Sequence, residues 1–397
     1  MSVVLVVNSG SSSFKYQLIE MDGERVLASG LVERIGEAAG HAEHKTAGEP
    51  FEIERPIPNH TAGFRLMLDA FANHGPSLTE HAPVAVGHRV VHGGARFFEA
   101  TLIDDLVEIN IDDLSFLAPL HNPGALQGIR AARRAFDAVP HVAVFDTAFH
   151  QTMPPEAYTY ALERETAEKH RIRRYGFHGT SHKFVSEAAA AYLGRPNSEL
   201  KQVVFHLGNG ASVTAVDGGR SVDTSMGFTP LEGLVMGTRT GDIDPAVLIH
   251  LQRRAGLTTN ELDDLVNKRS GLVGLAGAND MRDLTARAQA GEAEAQLAID
   301  VYTHRLRAYA GAYLAQLGGA DVISFTAGVG ENVAHIRAAA LRGLEFAGVE
   351  IDAERNENAK RGEITRISSD ASRVAVLVVP TDEEVEIARQ TLAAAQE

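Results

Sequence analysis

Two short polar turns carry much of the chemistry in this chain. Asn8-Ser9-Gly10-Ser11-Ser12-Ser13 follows the apolar, β-branched residues 3–7 and leads to Lys15, and Gly208-Asn209-Gly210 follows residues 203–207. Each reads as strand, tight turn, strand. Successive backbone N–H groups in such a turn form an anion-binding concavity, so Ser11, Ser12 and Lys15 are expected to face phosphate. Two arginines stand in glycine-, histidine- and threonine-rich surroundings: Arg89 in GHRVVHGG and Arg239 in GTRTGDIDP. A guanidinium fork suits the planar oxygens of carboxylate or phosphate; a structural ion pair is the alternative for either.

His178, in RRYGFHGTSH, is read as a hydrogen-bond donor to a transferring phosphoryl group, with a packed structural histidine as the alternative. Its spacing from His182 is that of a zinc pair, but the intervening glutamate of that motif is missing and Gly-Thr-Ser does not read as helix interior. His182 itself reads as a cap or support for the following helix. Asp146 ends the apolar lead-in of VAVFDTAFH, and ligands of open α/β sheets meet such strand ends. It is expected to orient a substrate, hold magnesium through water or take a proton, or else to cap the next turn. His121, in LAPLHNP, is a further donor or a pre-helical turn contact. TAGVGEN reads as backbone set close to a flat ligand, a base or ribose, with Gly328 and Gly330 permitting close approach or positive φ; a plain structural turn is the alternative. Neither the G-x-x-x-x-G-K-[ST] nor the G-x-G-x-x-G phosphate motif is present.

The elements that must position these groups are strands near 3–7, 14–20, 85–91 and 139–145 in the first half, and near 203–207, 211–216, 321–327 and 374–379 in the second. Asn59 predicts a helix cap, with the helix running to residue 73 and stopped by Gly75-Pro76. Asn122-Pro123 reads as an N-cap with proline at the first helical position, leading through Phe136. Ser181 is expected to open an alanine-rich helix to Leu193. Further helices are predicted at 245–255, at 260–267 and over 283–317, the last broken at Gly291. Thr381 starts TDEE, a capping box with Glu384 at its third helical position. Strands alternating with helices argue α/β domains, and the early hairpin argues mixed sheets.

At 397 residues the chain predicts two domains, and 44% apolar content supports sizeable cores. It has no cysteine, which removes disulfides and thiolate sites and fits a reducing compartment, so the cytoplasm is expected. The start lacks the pattern of a signal peptide, and no apolar run is long enough to span a membrane. A formal net charge of −15 argues against a nucleic-acid or anionic-membrane surface.

NSGSSSFKY, GHRVVHGG, VFDTAFH, RRYGFHGTSH, HLGNGAS, GTRTGDIDP, AGVGEN and PTDEE, in that order from Asn8 to Glu384, together resemble the acetate kinase family. The resemblance implies an α/β fold of the actin, sugar kinase and Hsp70-like ATPase class: two similar ribonuclease H-like domains, mixed sheets flanked by helices, and a nucleotide cleft. It implies domains 1–149 and 150–379, with 380–397 returning to the first, and a homodimer. Carried over residue by residue, Asn8 and Glu383 resemble the magnesium-associated residues (manganese is the alternative ion) and Lys15 the ligand of the nucleotide phosphates. Arg89 resembles the acetate ligand, Asp146 the catalytic aspartate, and His178 and Arg239 the transition-state stabilisers. His206, Leu207, Gly208, Asn209 and Gly210, then Asp280, Met281 and Arg282, then Gly328, Val329, Gly330, Glu331 and Asn332 resemble the ATP-binding stretches. Val91, Leu120 and Pro230 resemble the apolar pocket around the acetate methyl, with His121 beside it. The implied reaction is acetate plus ATP giving acetyl phosphate and ADP. A kinase for propionate or another short carboxylate, and a non-enzymatic nucleotide-dependent interaction module, are the alternatives.

Overall fold

The computed structural model describes residues 2–396. The chain divides into two units, one running to Ala148 and completed by the residues from Asp382 onward, the other spanning Phe149–Thr381.

The first unit is built on a sheet of eight strands: β1 (Val3–Ser9), β2 (Ser13–Glu20), β3 (Arg25–Glu33), β4 (Gly40–Lys45), β5 (Phe51–Arg55), β6 (Ala85–Val90), β7 (Thr101–Leu102) and β8 (His141–Phe145), in the order β5-β4-β3-β2-β1-β6-β8-β7. The second has six: β9 (Lys201–Leu207), β10 (Ala211–Asp217), β11 (Arg220–Thr224), β12 (Val322–Thr326), β13 (Thr365–Arg366) and β14 (Ala375–Val378), in the order β11-β10-β9-β12-β14-β13. Apart from the additional antiparallel strands β4 and β5 on the outside of the first sheet, three antiparallel strands continue into two parallel ones and a short antiparallel edge in both units. The same topology is therefore used twice, and both polar turns join the first two strands of their sheet.

Side-chain periodicity explains the layers. Residues 3–7 of β1 and all of β8, β12 and β14 are buried, the pattern of central strands covered on both faces. In the first unit Leu5, Phe14, Tyr16 and Leu18 pack against Phe64, Met67 and Phe71 of the helix His60–His74. In the second, Val204, Val322 and Leu377 pack against Val185 and Ala189 of the helix Gly179–Leu193. The last helix, Glu383–Gln396, lies on β1, β6 and β8. A Cβ on Gly87 of β6 would stand 2.2 Å from Thr391 Oγ1 of that helix, so only glycine lets the two approach this closely. No helix among the described residues is long and apolar enough to cross a membrane.

Several expectations need correction. The strands β3, β4, β5, β7, β11 and β13 were not foreseen: β4 and the edge strand β5 (GHAEHK, FEIER) are polar and carry no apolar run. Asn59 does cap its helix, accepting from Ala62 N at 3.0 Å. Asn122 does not cap: His121 occupies the cap position of the helix Asn122–Ala135, without a side-chain cap bond. The helix expected to open at Ser181 begins at Gly179, so Gly-Thr-Ser forms its first turn. Asp382 caps the last helix in place of Thr381, accepting from Val385 N at 3.0 Å. The break at Gly291 separates the helices Met281–Gln289 and Ala293–Leu317.

Candidate active site

In the first unit the candidate groups gather at the carboxyl ends of β6 and β8. Parallel pairing sets Arg89 beside Val144, and Asp146 N donates to Val90 O at 3.0 Å, so Asp146 emerges level with the end of β6. Arg89 Nε reaches Asp146 Oδ1 at 2.9 Å and Nη2 reaches Oδ2 at 2.6 Å. Nη1 takes no part in the pair. Burial pushes the Asp146 carboxyl up, opposed by the Arg89 charge. The Asp146 negative charge in turn raises Arg89, with Glu383 and Glu384 adding to it. Arg89 thus makes the structural ion pair that was its alternative, and Asp146 fixes the orientation of the fork. His121 lies near enough for its charge to act on Asp146.

The loop after β6 is fixed from behind. Asn122 Oδ1 accepts from His92 N at 3.2 Å and Asn122 Nδ2 donates to His92 O at 3.0 Å. Gly93 N donates to Thr147 Oγ1 at 3.0 Å. Asn122 thus serves this loop, which is why it is absent from the helix cap. Val91 is half-buried and Leu120 exposed.

The first polar turn is a tight one. Gly10 N donates to Ser13 O at 2.7 Å, so that amide is consumed within the turn and is unavailable to phosphate. Ser11 and Ser12 are exposed. A Cβ on Gly124 would stand 2.5 Å from Gly10 C, and one on Gly128 2.0 Å from Ser9 Oγ, so the turn rests on the bare face of the helix Asn122–Ala135. Asn8 and Lys15 are direct cross-strand partners. Together with Glu43, Lys45 and Glu384 they line a cavity of about 260 Å³. Burial and the neighbouring Glu383 and Asp382 charges push the Glu384 carboxyl up.

In the second unit His178 and Arg239 both approach Gly210. A Cβ there would lie 3.5 Å from both His178 Nε2 and Arg239 Nη1. Arg239 has no carboxylate partner among the described residues; Nη1 donates to Pro230 O at 3.3 Å, and burial lowers the guanidinium pKa. His178 sits just before its helix with φ 57°, a left-handed conformation uncommon outside glycine and frequent at functional sites. Its ring stacks on His206 with centroids 4.2 Å apart, and His206 Nδ1 meets Ser181 Oγ at 2.8 Å. Leu207 is core, and Gly208 N closes the turn on Gly210 O at 3.1 Å. Asn209 is pinned, its carbonyl accepting from Gly237 N at 3.0 Å and its Oδ1 from Asn279 Nδ2 at 3.1 Å.

The remaining stretches are helix starts. Asp280 caps the helix Met281–Gln289, and its pKa falls to about 2 because the Arg282 side chain and backbone N–H bond to it. Met281 is buried, which leaves only its backbone for a ligand. GVGEN lies within the short helix Ala327–Asn332, where Glu331 Oε1 accepts from Ala327 N at 3.0 Å and Asn332 Nδ2 donates to Gly328 O at 2.8 Å. The positive φ falls on Ala327, at 64°, and on neither Gly328 nor Gly330. Val329 stands between those glycines in the same turn. Sequence reasoning overlooked Arg337: this buried cation, its pKa lowered to about 10 by burial, donates to Gly330 O at 2.9 Å and Glu331 O at 3.0 Å and so fixes the turn from below. An arginine inside an otherwise apolar helical stretch was the available signal. Among the described residues no group of three or more His, Asp or Glu side chains is placed to hold a metal.

A family model described as the Acetokinase family matches residues 3–389. The chain is 67% identical over 394 residues to the acetate kinase of Clavibacter michiganensis subsp. michiganensis, covering 99% of each sequence. The crystal structure of Porphyromonas gingivalis acetate kinase aligns with a TM-score of 0.95 at 42% identity, covering 99% of this chain and 100% of that one. A propionate kinase from Francisella tularensis subsp. tularensis aligns with a TM-score of 0.91 at 41% identity and the same coverage. The two α/β units on mixed sheets are those of the actin-like ATPase fold.

Proposed function

Because the chain belongs to the acetokinase family, we propose that it transfers the γ-phosphoryl group of ATP to acetate, reversibly, giving acetyl phosphate and ADP. The observation that carries the reading is Arg239: a half-buried guanidinium without a carboxylate partner among the described residues, beside His178 Nε2 at Gly210. A buried cation left without a counter-ion is costly, and an anion docking there offsets that cost.

Acetate is already ionised at neutral pH, its carboxyl resembling a glutamate with pKa about 4.3, so no general base is required. One acetate oxygen bonds to the γ-phosphorus while the bond from that phosphorus to the β–γ bridging oxygen breaks, and ADP leaves with the electron pair. The obstacle is the approach of one anion to another. Arg89, aimed by Asp146, holds the acetate carboxylate. Val91, Leu120 and Pro230 are assigned to its methyl, with His121 as a neighbouring donor. Arg239 and His178 meet charge on the equatorial oxygens, the usual division of labour in phosphoryl transfer. Lys15, Ser11 and Ser12 are assigned to the nucleotide phosphates, and the 206–210, 280–282 and 328–332 stretches to the rest of ATP.

Asn8, Glu383 and Glu384 offer oxygen donors suited to magnesium, which takes one or two carboxylates and completes its shell with water and phosphate oxygens. Burial first, and then the neighbouring Glu383 and Asp382 charges, raise the Glu384 carboxyl, and a cation there would offset both. When bound, the ion supplies positive charge against the β and γ phosphates; manganese accepts the same donors. We also assign the enzyme to the cytoplasm as a homodimer. In support of an interface, the helix Pro245–Ala255 buries none of its residues although Val247 and Ile249 are apolar; sedimentation velocity tests it.

Hydroxylamine trapping of acyl phosphate from MgATP with acetate, propionate or butyrate tests the activity. Acetate is expected to give the strongest signal. Propionate follows as a slower substrate, since one methylene discriminates by only about 1–3 kcal/mol. No carboxylate-dependent product would overturn the reading, and a preference for propionate would shift it to the other family activity.

A further inference from the structure

Ser212 lies on β10, wholly buried, with its hydroxyl between two imidazoles: His178 Nδ1 at 2.8 Å and His182 Nε2 at 2.7 Å. A hydroxyl has one hydrogen, so between two neutral rings it donates to one and accepts from the other. His182 decides the direction. It is fully buried, and its Nδ1 meets no hydrogen-bonding partner among the described residues. A hydrogen on Nδ1 would be a buried orphan donor, the arrangement folded proteins avoid most strictly. Placed on Nε2, the hydrogen has Ser212 Oγ as its acceptor. Ser212 then turns its own hydrogen to His178 Nδ1. His178 in its neutral form accepts at Nδ1 and carries its hydrogen on Nε2, the atom that faces the same point as Arg239 Nη1 at Gly210.

We propose that Ser212 and His182 are positioning residues that hold His178 in its Nε2–H tautomer, so that it presents a donor to the transferring phosphoryl oxygens. The reading rests on the assignment of His178 made above. Reversed, the chain of bonds would turn a lone pair of His178 towards phosphate oxygens, which repel it. Burial, with His150 and His206 close by, pushes the His182 pKa far below its ordinary value and keeps that ring neutral. The stacking of His178 on His206 adds a second restraint on ring orientation, and the His206 ring is itself held through Ser181 to Thr381 Oγ1 at 2.9 Å.

Nitrogen-15 NMR of the histidine-labelled full-length protein tests this without any variant, the His178 signals being assigned by their loss in H178Q. The expected spectrum has an unprotonated, pyridine-like Nδ1 and a protonated, pyrrole-like Nε2 on His178 near neutral pH. A protonated Nδ1 on the neutral ring overturns the proposal. In Ser212→Ala the two tautomers are expected to mix, and kcat to fall about fivefold to tenfold, the weight of one directing hydrogen bond. KM for acetate and for ATP should stay within about twofold, since a transition-state contact is lost and ground-state binding is not. His182→Gln, which keeps an N–H donor, should retain more of kcat than His182→Leu. A S212A protein with the wild-type His178 spectrum and wild-type kcat also overturns it. Wild-type kcat in His178→Ala would instead remove the phosphoryl-donor role of His178, and the wild-type spectrum would still decide the tautomer.

Discussion

Replacing Arg89 with alanine should cost stability as well as turnover, and the stability loss should depend on pH in a direction fixed by Asp146. The carboxylate is 1% exposed, and Arg89 contacts it through Nε on both oxygens, at 2.9 and 3.2 Å, and through Nη2 at 2.6 Å. Breaking a buried ion pair from one side costs about 3–5 kcal/mol, because the charge left behind is uncompensated. The Arg89 side chain keeps 24% of its surface exposed, so solvent screens part of the pair, and about 3 kcal/mol is the appropriate figure. For a unit of this size that corresponds to a fall in melting temperature of about 6–12 °C.

Burial already holds the folded pKa of Asp146 above its unfolded value of about 3.9. Arg89 opposes that shift, so its removal raises the folded pKa further. An acid whose folded pKa is raised takes up a proton in the folded state first, and stability falls as pH rises from the unfolded pKa through the folded one. The R89A deficit should therefore be larger at pH 8 than at pH 5. Asp146→Asn in the R89A background removes the stranded charge and should recover at least half of it. Thermal melts followed by circular dichroism, on wild type, R89A, D146N and the double variant at both pH values, complete the cycle. An R89A deficit that is equal at the two pH values and untouched by D146N would refute the reasoning.

Three further outcomes are expected. Arg239→Ala should lose about a hundredfold in kcat, near the worth of one transition-state donor of about 3 kcal/mol, with its melting temperature unchanged because no carboxylate is stranded; steady-state kinetics beside a thermal melt checks both. Gly210→Ala should fold normally, since its Cβ meets its neighbours at 3.5 Å, yet lose at least about tenfold in kcat by filling the point where two donors converge; an unaltered kcat would place the reaction elsewhere. Gly87→Ala should destabilise by about 1–3 kcal/mol through overpacking against Thr391 Oγ1 at 2.2 Å. Thr391→Ala should relieve it, because that hydroxyl is buried without a partner among the described residues, and urea titration of the single and double variants measures the relief.

Much of the fold was legible because its central strands carry short, mostly apolar runs. The runs at β1, β6, β8, β9, β12 and β14 stand out in one dimension, and the paired polar turns announce that the topology is used twice. The strands β4 and β5 at the outer end of the first sheet were illegible for the complementary reason: they are mostly polar, and β5, the edge strand with a single partner, buries none of its residues. Local signals misled where a side chain serves a distant segment. Asn122 has the residue type and the following proline of a helix cap, yet it holds the backbone of His92. Gly328 and Gly330 advertise conformational freedom, yet the strained position is Ala327. Long-range partners of this kind leave no periodic trace.

The two arginines show the same limit at the site itself, and with consequence. In sequence they are equivalent, each a cation among glycines. In the structure Arg89 is neutralised by Asp146 and stands in the field of Glu383 and Glu384, whereas Arg239 has no carboxylate partner among the described residues. A pre-neutralised fork offers directional hydrogen bonds but little net charge, which suits a small monoanion that must be oriented and then given up to reaction. An uncompensated, half-buried fork offers charge, which suits the oxygens of a phosphoryl group in transfer. The difference on which the proposed roles of the two arginines rest is thus an aspartate 57 residues away from Arg89, brought alongside by the parallel pairing of β6 with β8. Moving the acid should move the roles: D146N ought to raise the affinity of the Arg89 site for acetate while loosening its orientation. KM for acetate would then fall together with kcat, and a rise in KM would show that Asp146 contributes more to aiming the fork than to discharging it.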